Sequence, residues 1–178
     1  SQSKTDVLEI YCSESSQLTH QCQALGMSAA RFGLKQGDLS TFAGRAKLYD
    51  VLWVLRPRHI WTSPKCSPWC AWSRLNMSKS IDLERQILKS RQAEKVHLCL
   101  CDAMHSFQCW RGPLFHFHLE QPLGSEMTHQ KEMSRIVHNT LKAVCDMCSA
   151  GHLKHPENPS FLRKRTQILT TSRILWRT

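Results

Sequence analysis

Two patterns of apolar residues occur along this chain and predict its secondary structure. Short apolar runs, which are typical of buried strands, occupy 6–11, 28–32, 59–62, 114–119, 143–147 and 165–170. Apolar residues that recur every three or four positions predict helices at 17–25, 41–55, 81–110 and 127–141. Because strands and helices alternate, we predict an α/β fold, a three-layer sandwich around a mostly parallel sheet.

Two of these helices carry a clear apolar face. In 41–55 the face consists of Leu48, Val51, Leu52 and Leu55. Ser80 is the expected N-cap of the helix at 81–110. The apolar face of that helix consists of Val96, Leu100, Ala103 and Phe107. The segment 63–80, rich in Pro, Trp, Ser and Cys, is predicted to be a long loop.

Loops that follow the carboxyl ends of strands are where the functional residues of a parallel α/β sheet collect. In this chain the rule selects the loops at 11–16, 37–40, 63–72 and 120–124. We therefore expect any functional site to be built from these four segments.

Composition fits one domain over 1–178 with a basic C-terminal portion at 151–178. Apolar residues make up 41% and charged residues 21% of the chain, which are values of a globular protein. No apolar stretch approaches the roughly 18 residues of a membrane span, so no membrane partner is expected. The chain begins Ser1-Gln2-Ser3-Lys4, without Met or a signal peptide, and has an odd number of Cys, nine. We therefore expect a fragment of a longer intracellular polypeptide with reduced thiols.

The net charge of +10 indicates a polyanionic partner, most simply nucleic acid. Segment 151–178 carries six Lys and Arg side chains against Glu157 alone, which is half of the excess in about a sixth of the chain. A solubilising surface is the alternative interpretation of this charge.

The loop after the predicted strand 59–62 holds Cys66 between Pro64 and Pro68. Prolines fix the backbone and can present the thiol rigidly, and nearby cations would favour its nucleophilic thiolate form. The candidate cations are Lys65, Arg58 and Arg74. A buried structural Cys is the alternative.

A second candidate group, Glu120, ends an apolar strand and is followed by Gln121 and Pro122. A carboxyl group in such a place can be kept protonated and act as an acid. Taken alone, a carboxylate such as Glu120 is more often a helix cap. Paired with Cys66 at another strand end, it resembles half of a catalytic site.

In order and spacing, these residues resemble the cytosine-5 DNA methyltransferases, in a small divergent form similar to domains embedded in retroelement polyproteins. The family's Pro-Pro-Cys-Gln followed by Pro-Phe-Ser is echoed by Pro64-Lys65-Cys66-Ser67-Pro68-Trp69-Cys70. Its Glu-Asn-Val, Gly-Asp-Ile and basic motifs are echoed by Glu120-Gln121-Pro122, Gly37-Asp38-Leu39 and Arg163-Lys164-Arg165. The resemblance runs from about Asp6 to Ile174.

The resemblance implies a Rossmann-like, S-adenosylmethionine-dependent methyltransferase that acts on DNA, with a nuclear location. A cytosine would be flipped out of the duplex, Cys66 would attack carbon 6, and Glu120 would hold a proton at ring nitrogen 3. Carbon 5 would then take the methyl group. Arg163 or Arg165 would hold the base edge or a flanking phosphate. The residues expected to contact the cofactor are Cys12, Ser13, Glu14, Ser15, Asp38, Leu39 and Pro64.

Two departures from the family pattern favour an alternative, a degenerate methyltransferase fold that binds without catalysing. The loop at 11–16 has no glycine where the family brings its backbone close to the cofactor. Arg31 and Phe32 stand where an acidic residue would hold the ribose. The presence of Cys66 and Glu120 favours an enzyme.

A zinc-stabilised nucleic-acid-binding module is a further alternative. It would use Cys145, Cys148, His152 and His155, a Cys-x2-Cys-x3-His-x2-His run with the ligand types of tetrahedral zinc. The short distance between the two ligand pairs, and the expected place of Cys145 inside a strand, disfavour it.

Other aromatic and His side chains are expected to pack rather than react. His116 and His118 should share one strand face, opposite Phe115 and Phe117. For three tryptophans, stacking on a base is the alternative to packing. They are Trp61, Trp69 and Trp72.

Overall fold

A computed structural model of the chain describes residues 3–146, 154–155, 158–161 and 165–176. The strands are β1 Val7–Ile10, β2 Ala29–Phe32, β3 His59–Thr62, β4 His116–Pro122, β5 Leu141–Asp146, β6 Lys154–His155, β7 Asn158–Phe161 and β8 Arg165–Thr170. The helices are α1 Gln17–Ala24, α2 Phe42–Leu55, α3 Ala71–Met77, α4 Ile81–Arg111, α5 Ser134–Asn139 and α6 Arg173–Trp176. Short 3-10 turns lie at Ser67–Trp69, Glu126–His129 and Lys131–Met133.

Six strands form one mixed sheet in the order β2-β1-β3-β4-β8-β5, so the prediction of a mostly parallel sheet is corrected. The four strands β2, β1, β3 and β4 pair in parallel, with Val7 beside His59 and His59 beside His116. β8 is antiparallel to both of its neighbours. The reason is that β8 begins at the sheet edge where β4 and β5 end, so it must run back between them. Strands β6 and β7 form a separate antiparallel pair.

Helices lie on both faces of the sheet, which gives the α/β fold three layers. One face packs against α2, α4 and α5 through a single apolar core. The largest buried contributions to this core are Leu8, Ile10, Phe32, Leu48, Leu52, Ile60, Leu98, Met104, Phe117 and Leu119. On the other face, α1 contacts β1 and β2. No helix in the described part of the chain combines the length and apolarity that crossing a membrane requires.

Helix starts follow the expected capping chemistry. Thr41 accepts a hydrogen bond from the Gly44 N–H at 3.0 Å at the start of α2, and Ser80 accepts one from the Leu83 N–H at 3.2 Å at the start of α4. The predicted face of α2 is confirmed, since Leu48 and Leu52 are buried and Val51 and Leu55 pack against the core. Gly26, with φ 78°, follows α1 as expected.

Two predicted segments are wrong in detail. The expected loop at 63–80 contains the 3-10 turn Ser67–Trp69 and the helix α3. The expected helix at 127–141 is divided into two 3-10 turns, the short α5 and the first residue of β5. In addition, β4 continues through Glu120 to Pro122, because Gln121 and Pro122 pair with Gln167 and Thr166 of β8.

The buried face of α4 also differs from the apolar stripe in the sequence. Of the predicted stripe, Leu100 is fully buried, whereas the buried face includes the polar His105 and Gln108. The Gln108 amide donates hydrogen bonds to the carbonyls of Pro57, Arg58 and His116 at 3.1, 3.2 and 3.0 Å. The apolar pattern of a sequence does not indicate which polar residues are buried with their hydrogen bonds satisfied.

Candidate active site at the carboxyl edge of the sheet

Cys66 and Glu120 line the same shallow pocket, a cavity of about 250 Å³ at the carboxyl edge of the sheet. Cys66 lies four residues after the end of β3, and Glu120 lies near the end of the neighbouring β4. These two strands are parallel, with Thr62 beside Leu119, so their ends open on the same side. Both side chains are half-buried. The structure thus brings together the two residues on which the sequence hypothesis depends.

Two polar side chains fix the Cys66 loop to the rest of the fold. Gln121, which is buried, donates from its amide to the Pro64 carbonyl at 2.9 Å. From α4, Arg91 donates to the Pro68 carbonyl at 2.8 Å, forms an ion pair with Glu126, and places its guanidinium 5.2 Å from the ring centre of Trp69. Both prolines that flank Cys66 are therefore held by hydrogen bonds from separate elements.

Of the three cations expected near the Cys66 thiol, only Lys65 lines the pocket. Arg58 precedes β3 and therefore lies at the opposite, amino edge of the sheet, so its expected role beside Cys66 is wrong. Arg74 is exposed on α3 and is not part of the pocket lining.

A second thiol, Cys70, closes the same loop. Burial raises its pKa, but hydrogen bonds from the Ser73 hydroxyl and from the backbone of Ser73 and Trp72 outweigh burial, so the pKa is lowered overall. Cys70 does not line the pocket that holds Glu120. It therefore provides a matched comparison for Cys66 in the same segment.

A larger cavity of about 360 Å³ adjoins the Cys66 pocket, and Ser63 and Lys65 line both. It lies at the carboxyl ends of β1, β2 and β3, where the chain passes from one side of β1 to the other. Such a switch in strand order is where open α/β sheets bind ligands. Its lining includes the predicted Cys12, Asp38 and Leu39.

The remaining predicted cofactor residues lie elsewhere. Pro64 lines the Cys66 pocket, while Ser13, Glu14 and Ser15 are outside the lining of the larger cavity. Glu14 is exposed and forms an ion pair with Lys35 at 2.5 Å. Of the expected loop at 11–16, only Tyr11 and Cys12 line the cavity.

The loop after β1 turns without glycine because Tyr11 adopts the left-handed conformation, with φ 64°. The buried Glu9 holds the far end of this loop. Its carboxylate accepts the Ser16 hydroxyl at 2.5 Å, and the N–H and hydroxyl of Thr19 at 3.2 and 2.6 Å. The close backbone approach comes from the neighbouring loop, since a Cβ on Gly33 would lie 2.5 Å from the Cys12 carbonyl oxygen.

Sequence reasoning missed Glu94 and His97, which reach the larger cavity from α4. The Tyr11 hydroxyl lies 3.2 Å from His97 Nδ1, and burial lowers the pKa of His97. Positions 94, 97 and 101 share one side of α4, and Cys101 is fully buried in the core, but the apolar stripe of the sequence does not include this side. Asp38 lies across this cavity, and hydrogen bonds from Ser40 lower its pKa.

Arg165 stands at the start of β8, beside the end of β4. Its carbonyl accepts the Leu123 N–H at 3.0 Å, which places it at the same sheet edge as Cys66 and Glu120. Its guanidinium is paired with Asp146 at 3.4 Å. Arg163 and Lys164 lie outside the described residues, so their roles stay predictions.

The three tryptophans take different positions. Trp69 is buried in the core, which confirms packing for that residue, and Trp61 packs beside His118. Trp72 is 73% exposed on α3, next to the Cys66 loop. His116 and His118 lie on one strand face and pack beside His59, as expected of packed side chains.

The zinc alternative rests partly on Cys148 and His152, which lie outside the described residues. Cys145 is exposed in β5. Within the described ranges, no group of three or more His, Cys, Asp or Glu side chains is arranged to hold a metal ion.

Comparison with protein-family models, curated protein sequences and solved structures found nothing that matches this chain.

Proposed function

We propose that this chain is a Rossmann-like methyltransferase domain that transfers a methyl group from S-adenosylmethionine to carbon 5 of cytosine in DNA. The observation that carries the proposal is the shared pocket of Cys66 and Glu120, next to a larger cavity at the switch point of the parallel strands. The order of the four parallel strands supports a Rossmann-like arrangement.

The larger cavity is lined by apolar and acidic side chains that suit S-adenosylmethionine. Phe32, Leu34 and Leu39 offer apolar surface for an adenine ring. The carboxylates of Asp38 and Glu94 suit ribose hydroxyls and a positively charged ligand, and Glu94 compensates for the acidic residue that β2 lacks. When bound, this cofactor would supply the methyl group; Ser63 and Lys65 line the boundary with the Cys66 pocket.

The pocket residues account for the remaining chemistry on the base. The thiolate of Cys66 bonds to carbon 6 of cytosine, and the electron pair of the carbon 5–carbon 6 double bond moves to carbon 5. Glu120 holds a proton at ring nitrogen 3, which limits the charge that builds up on the ring. After carbon 5 has gained the methyl group, its proton passes to water, the double bond re-forms, and the thiolate leaves.

DNA as the substrate is supported by charge and by exposed surface at this edge. The chain carries a net charge of +10, which favours a polyanion. Arg165 lies at the same edge as the pocket, and the exposed indole of Trp72 offers a surface on which a base can stack. The positions of these two side chains support entry of a flipped cytosine into the pocket from this edge of the sheet.

Capture of the covalent adduct tests this function. The chain is incubated with S-adenosylmethionine and duplex DNA containing 5-fluorocytosine, and adducts are separated on a denaturing gel. Fluorine at carbon 5 cannot leave as a proton does, so the thiol stays bonded to carbon 6. We expect an adduct that depends on S-adenosylmethionine, disappears in Cys66→Ala, and falls at least tenfold in Glu120→Gln.

Cys70→Ala is the matched control, because it removes a thiol from the same loop outside the pocket. It should form the adduct as the unchanged chain does. An adduct that persists in Cys66→Ala contradicts the assignment of the nucleophile. If the chain binds S-adenosylmethionine but forms no adduct, the degenerate fold that binds without catalysing replaces the proposed enzyme.

A further inference from the structure

A cavity of about 560 Å³ opens on the sheet face that α1 only partly covers. Its floor is formed by three imidazoles and an indole from the adjacent strands β3 and β4. The four residues are His59, Trp61, His116 and His118. Because Arg58, His59 and His116 begin or precede their strands, this histidine pocket lies toward the amino edge, away from Cys66. It is distinct from the site of the proposed function.

The rings of the floor lie close together and are fixed in place. His59 and His118 are 5.3 Å apart between ring centres and 15° from parallel, and Trp61 lies 5.4 Å from His118. A hydrogen-bonded chain runs through the floor. Thr170 Oγ1 lies 2.9 Å from His118 Nδ1, and His118 Nε2 lies 3.0 Å from His59 Nδ1. The Ser172 N–H donates to the same Thr170 oxygen at 2.9 Å.

This series of hydrogen bonds orients His59 and His118 and uses three of the four ring nitrogens of these two residues. Nε2 of His59 has no hydrogen-bond partner within the described part of the chain. Burial lowers the pKa of His118 to about 3 and that of His59 to about 4, so both rings are neutral near pH 7. These neutral rings form a largely apolar surface on which polar ring nitrogens, such as His59 Nε2, remain open to a ligand.

The walls of the pocket are apolar, and its lining contains one permanently charged side chain. The apolar wall residues are Val7, Leu18, Met27, Leu114 and Ile174. Among the lining residues, all from the described ranges, Arg58 alone carries a permanent charge, and it is exposed. Asp6, whose carboxylate interacts electrostatically with Arg58, accepts the N–H and hydroxyl of Ser28 at 2.9 and 2.8 Å on the single oxygen Oδ2. The exposed Arg58 guanidinium lines the pocket and can also contact a ligand there.

We propose that the histidine pocket binds a planar aromatic anion, a carboxylate or sulfonate whose rings lie on the imidazoles of the floor and whose charge is held by Arg58. The cavity volume is within the range of small-molecule sites, about 300–1,000 Å³. An apolar body with one anionic group matches an apolar wall with one guanidinium.

Binding of two fluorescent probes to the full chain tests this inference. The first is 8-anilinonaphthalene-1-sulfonate, and the second is N-phenyl-1-naphthylamine, which has the same rings without the charge. We expect one saturable site for each probe. Arg58→Gln should weaken the sulfonate at least tenfold and leave the uncharged probe within twofold. Arg74→Gln, which changes an exposed arginine on α3, should affect neither probe.

Met27→Trp should block both probes, because it adds bulk to the wall of the pocket. The far-ultraviolet circular dichroism of each variant is compared with that of the unchanged chain, and loss of probe binding counts only with an unchanged spectrum. Equal loss of both probes in Arg58→Gln, or unchanged binding in a folded Met27→Trp variant, would overturn the proposal. So would a decline in probe affinity with rising protein concentration, since it would mean that a second copy covers the pocket.

Discussion

Several polar side chains of this fold donate hydrogen bonds to backbone carbonyls of neighbouring elements. Gln121 holds Pro64, Arg91 holds Pro68, and Gln108 joins three carbonyls at the ends of different elements. A buried carbonyl left without a donor costs roughly 1–3 kcal/mol, so each of these residues fixes a loop firmly. The geometry around Cys66 depends on two of them.

The buried His118 makes stability depend on pH. Its pKa is about 3 in the fold against an ordinary value of 6.5, because burial disfavours the charged ring. The unfolded chain therefore binds more protons between these values, and the free energy of unfolding falls as pH falls below about 6.5. From pH 7.5 to 5.0 the loss due to His118 should be roughly 1–2 kcal/mol, as measured by urea unfolding.

His118→Gln should be less stable at pH 7.5 but should lose less stability on acidification than the unchanged chain. Other His side chains whose pKa is lowered by burial, such as the half-buried His59 and the buried His105, keep part of the dependence. His20→Gln changes an exposed side chain on α1 and should leave the dependence as it is. If His118→Gln and the unchanged chain lose the same free energy, His118 is not buried in its neutral form.

Among the elements, the start of α2 is most tightly constrained by its neighbour. A Cβ on Gly44 would lie 1.9 Å from the carbonyl oxygen of Asp38, so the helix passes directly against the loop that lines the larger cavity. Gly44→Ala should therefore lower the free energy of unfolding by roughly 1–3 kcal/mol, as overpacking does. Urea unfolding at constant pH measures this change.

Without that contact, alanine would stabilise the helix by about 1 kcal/mol relative to glycine. The sign of the change in the free energy of unfolding therefore shows whether the contact is present. Ala43→Gly on the exposed side of the same turn gives the size of the propensity effect alone. A Gly44→Ala variant more stable than the unchanged chain would contradict the described packing.

The strand pattern was the most reliable guide to the elements. β3 and β8 match the predicted segments 59–62 and 165–170, because apolar strands in a buried sheet give a strong local signal. The divided segment at 127–141 was not predictable, since its turns depend on side-chain bonds such as that from Met127 N–H to Ser125. The direction of β8 depends on pairing across the sheet and has no local signal.

At the scale of the whole molecule, the two edges of the sheet differ. The carboxyl edge carries the Cys66 pocket and the larger cavity, whereas the histidine pocket lies toward the amino edge. The first edge was predictable from strand ends. Glu94 and His97 were not, because they reach the cavity from a helix whose rotation is set by buried polar residues. Ser13, Glu14 and Ser15 were expected there because the methyltransferase resemblance places the cofactor at the loop that follows β1.

Calorimetric titration with S-adenosylmethionine and its demethylated product tests whether the larger cavity binds the methyl donor. We expect one saturable site in the unchanged chain. Asp38→Ala, which changes a residue of the larger cavity, should weaken binding at least tenfold, while Glu14→Ala, outside its lining, should leave binding unchanged. The absence of binding to either compound at millimolar concentration would contradict a cofactor site in this cavity, as would equal affinity in Asp38→Ala and the unchanged chain.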